Sequence, residues 1–135
     1  MISRRSVVSI LAVATLSVAG YPALAGSRRG DPVRMFDTDN DGTLDVAEVK
    51  KAASALFGRL DRDHDGTLDK RELAGRLNAG ELAAADPDQD GTLTADEYLA
   101  VVEQRFNAAN PDKDGTLDAK ELNTAAGRAL LRLLR

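Results

Sequence analysis
The feature that most constrains this chain is a twelve-residue pattern, Asp-x-Asp-x-Asp-Gly-Thr-Leu-x-x-x-Glu, that recurs at Asp37 to Glu48, Asp61 to Glu72, Asp86 to Glu97 and, with Asn110 in the first place, Asn110 to Glu121. Side-chain oxygens at positions 1, 3 and 5, a backbone carbonyl at 7, a polar group at 9 and a two-oxygen Glu at 12 wrap an ion of calcium's size in oxygen. Glycine at position 6 (Gly66 in the second copy) makes the sharp turn between them. A single match is within the reach of accident, but four in one chain of 135 residues are not.

The pattern matches the calcium loop of an EF-hand, and the charge distribution agrees. Of 22 acidic residues, 19 lie inside the four loops, and only Asp31, Glu81 and Glu103 lie outside. A merely soluble acidic surface scatters its carboxylates; this chain concentrates them in cation sites. The net charge disfavours nucleic acid as a partner. With no cysteine in the chain, disulfides are excluded as staples, which leaves metal binding to restrain a small chain with few aromatics.

Met1 to Ala25 reads as a secretory signal peptide: Arg4 and Arg5 open it, an apolar run spans Val7 to Val18, and Ala23-Leu24-Ala25 offers a small-x-small cleavage site. The two arginines also fit the start of a twin-arginine signal, whose remaining pattern is poor here. The apolar run is well short of the roughly twenty residues that cross a bilayer, so no membrane span is expected after the signal is removed. The domain division is then 1–25 cleaved signal and 26–135 a single four-EF-hand metal-binding domain. Sixteen cations face 22 acids in the latter, a net charge of −6.

Spacing between the loops sets the architecture. Two ordinary EF-hands need an exiting and an entering helix between their loops, about twenty residues or more. Here the gaps are Val49 to Leu60, Leu73 to Ala85 and Tyr98 to Ala109, only 12, 13 and 12 residues. The first and third hold one helix each, leaving one loop and entering the next. Val49, Ala53, Leu56, Phe57 and Leu60 form one apolar stripe; Tyr98, Val101, Val102 and Phe106 form the other, with Arg105 as its exception. Asp45 with Glu48 and Thr94 with Glu97 also fit the capping box that starts a helix, a role compatible with ligation because the exiting helix begins at position 9. The middle gap is interrupted by Gly75, Asn78 and Gly80, which predicts a short helix to about Leu77, a bend, and a second short helix capped by Asn78. A last helix is expected from about Ala119 to Arg135, and Asp31-Pro32 should cap one helical turn ending at Phe36.

The predicted fold class is all-α, a compact three-helix bundle with the four EF-hand loops at its periphery and 12–13 residues between adjacent loops. If the middle segment folds back at Asn78, loops two and three share one end and loops one and four the other. Each pair then joins through a short antiparallel bridge at its eighth residues, Leu68 with Leu93 and Leu44 with Leu117. A straight middle segment puts adjacent loops at alternate ends and forbids that pairing.

In its four loops, its short gaps, the Asn at position 1 of the fourth loop and the ending Ala126-Gly127-Arg128-Ala129-Leu130, the chain resembles the lanmodulins, periplasmic lanthanide-binding EF-hand proteins of methylotrophic bacteria. The resemblance covers the whole region after the signal. It implies ligands at Asp37, Asp39, Asp41, Thr43 (by its carbonyl), Asp45 and Glu48 in loop one, and at Asp61, Asp63, Asp65, Thr67, Asp69 and Glu72 in loop two. In loop three they are Asp86, Asp88, Asp90, Thr92, Thr94 and Glu97; in loop four Asn110, Asp112, Asp114, Thr116, Asp118 and Glu121. The family's pattern places Pro at position 2 of every loop. Here only Pro87 and Pro111 do so, with Thr38 and Arg62 in the first two loops, and Thr94 replaces an acid at position 9 of loop three. These departures bear on selectivity and on the equivalence of the sites.

A charge argument points the same way. Lanthanides are hard cations near calcium in size and accept the same oxygen cage. One extra positive charge about 2.4 Å from a carboxylate adds roughly 7 kcal/mol of attraction at an effective dielectric of about 20, opposed by the larger dehydration cost of the trivalent ion. The expected function is high-affinity binding of trivalent lanthanide ions in the periplasm for uptake, buffering or delivery, with metal-induced folding and with a periplasmic receiver or transporter as partner. A periplasmic calcium buffer or sensor is the alternative, calcium being the weaker ligand in the first reading. A docking module that uses metal only to hold its shape is the third. No nucleophile and base are paired in the sequence, so an enzyme is not expected. His64, at loop position 4, is expected to be solvated rather than a ligand, and Phe36, Phe57, Tyr98 and Phe106 to be core.

Overall fold
The computed structural model describes residues 30–135. The proposed signal peptide, its cleavage site and its two arginines lie outside the described residues. The elements run α1 (Pro32–Phe36), β1 (Leu44–Asp45), α2 (Val46–Leu60), β2 (Thr67–Asp69), α3 (Ala79–Ala85), β3 (Thr92–Thr94), α4 (Ala95–Ala109), β4 (Thr116–Leu117), α5 (Ala119–Leu122) and α6 (Ala125–Leu131). Helices carry the fold, and two small sheets accompany them.

The two long helices, α2 and α4, are single helices of 15 residues, each beginning after position 9 of one loop and ending where the next loop begins. Asp45 and Thr94 cap them in reciprocal capping boxes with Glu48 and Glu97. Helix α4 packs between α2 and α6, and their apolar stripes meet in one core. Arg105, the exception on the α4 stripe, is half-buried: its guanidinium donates to the Ala129 carbonyl at 2.6 Å and to Glu81 at 3.0 Å, tying α4 to α6 and α3. Tyr98 is fully buried, with its ring edge-on to Phe57 (centroids 5.7 Å apart) and its hydroxyl donating to the Leu133 carbonyl at 2.7 Å. Phe106 is buried too, whereas Phe36 and Phe57 pack at the core's margin.

The middle segment folds back. Asn78 caps α3 with a reciprocal bond to Glu81, and the turn brings β2 beside β3 in antiparallel register Thr67↔Thr94, Leu68↔Leu93, Asp69↔Thr92. At the other end β1 pairs with β4, Leu44↔Leu117 and Asp45↔Thr116. The four position-8 leucines are completely buried.

Two expected helices are different. The stretch after loop two, read as a short helix to Leu77, is a series of turns that mixes hydrogen bonds closing over three residues (Ala74 to Arg71, Arg76 to Leu73) and four (Leu73 to Asp69, Leu77 to Leu73). Gly75, at φ +80°, takes a left-handed conformation that a continuing helix cannot contain. The last helix breaks in two. Thr124 turns its hydroxyl to the amide of Gly127 (3.0 Å) and caps a fresh helix, α6, which crosses back over α5. At that crossing a Cβ on Gly127 would collide with the Glu121 carbonyl and the Leu122 backbone, so the absence of a side chain permits the approach. The first turn, α1, is capped by Asp31 and opened by Pro32 as its sequence predicts.

Candidate metal centre
Loops one, two and three are each built around their first residue. Asp37 accepts the amides of Gly42 at Oδ2 (3.0 Å) and of Asn40 at Oδ1 (2.6 Å); Asp61 accepts those of Gly66 (3.0 Å) and Asp65 (3.1 Å); Asp86 accepts that of Gly91 (2.7 Å). The turn that permits this needs left-handed backbone twice, at the glycine of position 6 and at position 4, where Asn40, His64, Gln89 and Lys113 have φ between +54° and +61°. His64 is exposed on that turn and is not among the clustered ligands. The position-5 aspartates, Asp41, Asp65, Asp90 and Asp114, each accept both the amide and the hydroxyl of the following threonine, which fixes Thr43, Thr67, Thr92 and Thr116 at position 7.

The loop closes through the position-12 glutamate. In all four copies Oε2 accepts the position-9 amide: Asp45 to Glu48 (3.1 Å), Asp69 to Glu72 (3.1 Å), Thr94 to Glu97 (2.8 Å) and Asp118 to Glu121 (3.0 Å). Positions 1, 3 and 12 thereby converge. Asp37, Asp39 and Glu48, then Asp61, Asp63 and Glu72, then Asp86, Asp88 and Glu97 each present carboxylate oxygens within 4.8 Å of one another. Loop four offers Asp112 and Glu121 with the neutral Asn110, so it has no acidic trio of this kind. Asp45, Asp69, Thr94 and Asp118 at position 9 spend a side-chain oxygen on the amide of their loop's glutamate.

The charges of these clusters are not met by protein cations. The ion pairs among the described residues are Arg34 with Asp31, Lys50 with Glu103 and Arg105 with Glu81, which use the three acids outside the loops and none inside them. Every buried polar or charged residue of the described chain is a loop position 1 or 12, namely Glu48, Asp61, Asp86 and Asn110. Two of their oxygens, Asp86 Oδ1 and Asn110 Oδ1, have no hydrogen-bond partner. A buried oxygen without a donor is unfavourable unless a cation completes it.

The electrostatic cost falls unevenly. Asp37 is pushed up by desolvation but held below the ordinary aspartate value by the combined donors Gly42, Asn40 and Asp41 and by its bond with Asp39. Asp65 is lowered by the Thr67 amide and hydroxyl. Asp39 and Asp63 are raised: an amide bond, from Asp41 and Asp65 respectively, pulls each down, but desolvation and repulsion from neighbouring carboxylates outweigh it. Asp86 and Asp88 split, Asp86 lowered and Asp88 raised chiefly by the bond between them. The raised groups of loops one, two and three thus all stand at position 3.

One contact was not legible from residue types. The amides of Thr38 (2.6 Å) and Arg62 (2.9 Å), at position 2, donate to Oε1 of Glu48 and Glu72, and the Thr38 hydroxyl adds a bond at 3.0 Å. The signal for it was the contrast of Thr38 and Arg62 with Pro87 and Pro111, which have no amide hydrogen to give.

The EF hand family model matches residues 34–52 and 54–78, segments that contain loops one and two complete. No curated protein matches the chain. The geometry and the family match together describe a chain with EF-hand segments whose acidic loops are metal-binding sites.

Proposed function
We propose that this chain binds trivalent lanthanide ions in its four loops, two at each end of a bundle formed by α2, α4 and α6, and that it does so in the periplasm for uptake, buffering or delivery. The observation that carries the reading is the charge distribution of the loops: 19 carboxylates with no cationic side-chain partner among the described residues, and buried acidic or amide residues confined there to positions 1 and 12. Each carboxylate at an ion favours the higher charge, and loops one and two place five ligating carboxylates each around it, loops three and four four each. The resemblance to lanmodulins in loop spacing and C-terminal sequence supports the choice of ion and compartment. In this reading the protein is not an enzyme, since its carboxylates serve coordination, and a periplasmic metal receiver or transporter takes the cargo.

The match of loops one and two to the EF hand model favours a second reading, a periplasmic calcium buffer or sensor. Competition decides between them. Protein loaded with calcium and titrated with lanthanum should release calcium at stoichiometric lanthanum; retention of calcium against a large excess of lanthanum supports the calcium protein instead.

A further inference from the structure
The position-12 glutamates fall into two kinds. Glu48 and Glu72 are held at both oxygens, Oε2 by the position-9 amide and Oε1 by the position-2 amide on the opposite arm of the loop. Glu97 and Glu121 are held at Oε2 alone, because Pro87 and Pro111 have no amide hydrogen to donate to the other oxygen. A carboxylate oxygen that accepts one hydrogen bond keeps a lone pair for an ion, so the second amide positions the glutamate without using up its ligand capacity. The sheets join one loop of each kind: loop one pairs with loop four through Leu44 and Leu117, and loop two with loop three through Leu68 and Leu93.

We propose that residue 2 acts through its backbone as a positioning residue that orders the filling of each pair, Thr38 and Arg62 making loops one and two the entry sites and Pro87 and Pro111 leaving loops three and four to fill second. A glutamate already fixed at both oxygens loses less freedom on closing around an ion, and ordering a long side chain is a sizeable entropic cost. The inference rests on the metal-binding reading above. At Arg62 the side-chain identity matters little, since it contributes an amide and its guanidinium makes no hydrogen bond or ion pair within the described residues, whereas at Thr38 the hydroxyl adds its own bond to Glu48 Oε1.

The test follows the position-6 amides of Gly42, Gly66, Gly91 and Gly115 by two-dimensional NMR while lanthanum chloride is added to chelator-stripped protein. Gly42 and Gly66 should respond before Gly115 and Gly91. Arg62→Pro keeps every carboxylate and should weaken loop two about tenfold, the scale of one amide bond to a carboxylate, so that Gly66 loses its lead over Gly91. Proline is admissible there because Asp61, at φ −71° and ψ 81°, is already non-helical, much like Asp86 before Pro87 at φ −111° and ψ 88°. Arg62→Ala retains the amide and should retain the lead. Pro87→Ala supplies the missing amide and should advance Gly91, a readout that stands even if Arg62→Pro fails to fold. An order unchanged in both Arg62→Pro and Pro87→Ala, or a loop two tightened by proline, overturns the proposal in favour of ligand charge alone. If no glycine amide responds to stoichiometric lanthanum or calcium, the metal-binding reading itself is wrong and the ordering falls with it.

Discussion
Leu68 lies directly opposite Leu93 in the antiparallel bridge between loops two and three, and neither side chain has any exposure to solvent. The eighth residue of one loop is thus the core contact of another, 25 positions away. Leu93→Ala should cost about 2–5 kcal/mol, the usual range for emptying such a site. Because the bridge is shared, the variant should disturb metal-induced shifts of Gly66 as much as those of Gly91, while Gly42 and Gly115 at the far sheet hold theirs. Equal damage to all four glycine signals would argue against pairing by ends.

Asn110 is buried, and its Oδ1 has no partner, yet it brings no charge to position 1 of loop four. Asn110→Asp should therefore strengthen the weakest lanthanide-binding step and, in chelator, lower the melting temperature by adding a buried unpaired charge. Calorimetric titration of parent and variant checks the first effect and thermal melts the second.

The ion-free protein should have a pH dependence that runs opposite ways at neighbouring aspartates. Asp88 is raised, so in the folded chain it holds its proton to higher pH than in the unfolded one; its contribution is present in acid and lost as the pH rises through its raised value. Asp86 is lowered, so its contribution is present above the ordinary 3.8 and lost as the pH falls below it. At neutral pH in chelator, Asp88→Asn should raise the melting temperature by removing a charge the loop holds at a cost. Below 3.8 the two proteins should converge, and with lanthanide present the order should reverse, because a ligand is gone.

Gly127 lies where α6 crosses α5, with no room for a methyl group against Glu121 and Leu122. Gly127→Ala should destabilise the protein by about 1–3 kcal/mol through overpacking. Since Glu121 closes loop four, the fourth binding step should weaken while the first three keep their affinities, measurable in the same titration.

The last two elements show where sequence reading stops. Leu122, Ala126 and Leu130 keep helical spacing across the break, so periodicity alone continues one helix from Ala119; the break is set by Thr124 capping and by a backbone contact that only Gly127 allows. After loop two, Asp69 and Glu72 exchange the same bonds that start α2 and α4, yet the chain goes on in turns. A capping pattern marks the position of a start, and whether a helix follows depends on residues such as Gly75. By contrast α2 and α4 were legible, because gaps of 12 residues leave no alternative to single helices, and both bridges were legible as the consequence of a fold-back at Asn78, the one of two arrangements that the structure adopts. The holding of Glu48 and Glu72 was hidden since it depends on backbone amides; Arg62 looks like a surface cation, and its amide is the group in use.

In the proposed reading the ions complete the fold. Carboxylates crowded within 4.8 Å oppose the loop turns, helices of 15 residues are near the limit of stability in isolation, and no disulfide restrains the chain. Binding energy should therefore appear as folding energy, reversible by acid that protonates the ligands. The direct measurement is far-ultraviolet circular dichroism together with the hydrodynamic radius, first in chelator, then with four equivalents of lanthanum near neutral pH, then after acidification. We predict a partly folded chain in chelator, less helical and less compact than the lanthanum-loaded protein, and return to the first state in acid; a chelated protein already as helical and compact as the loaded one would contradict this.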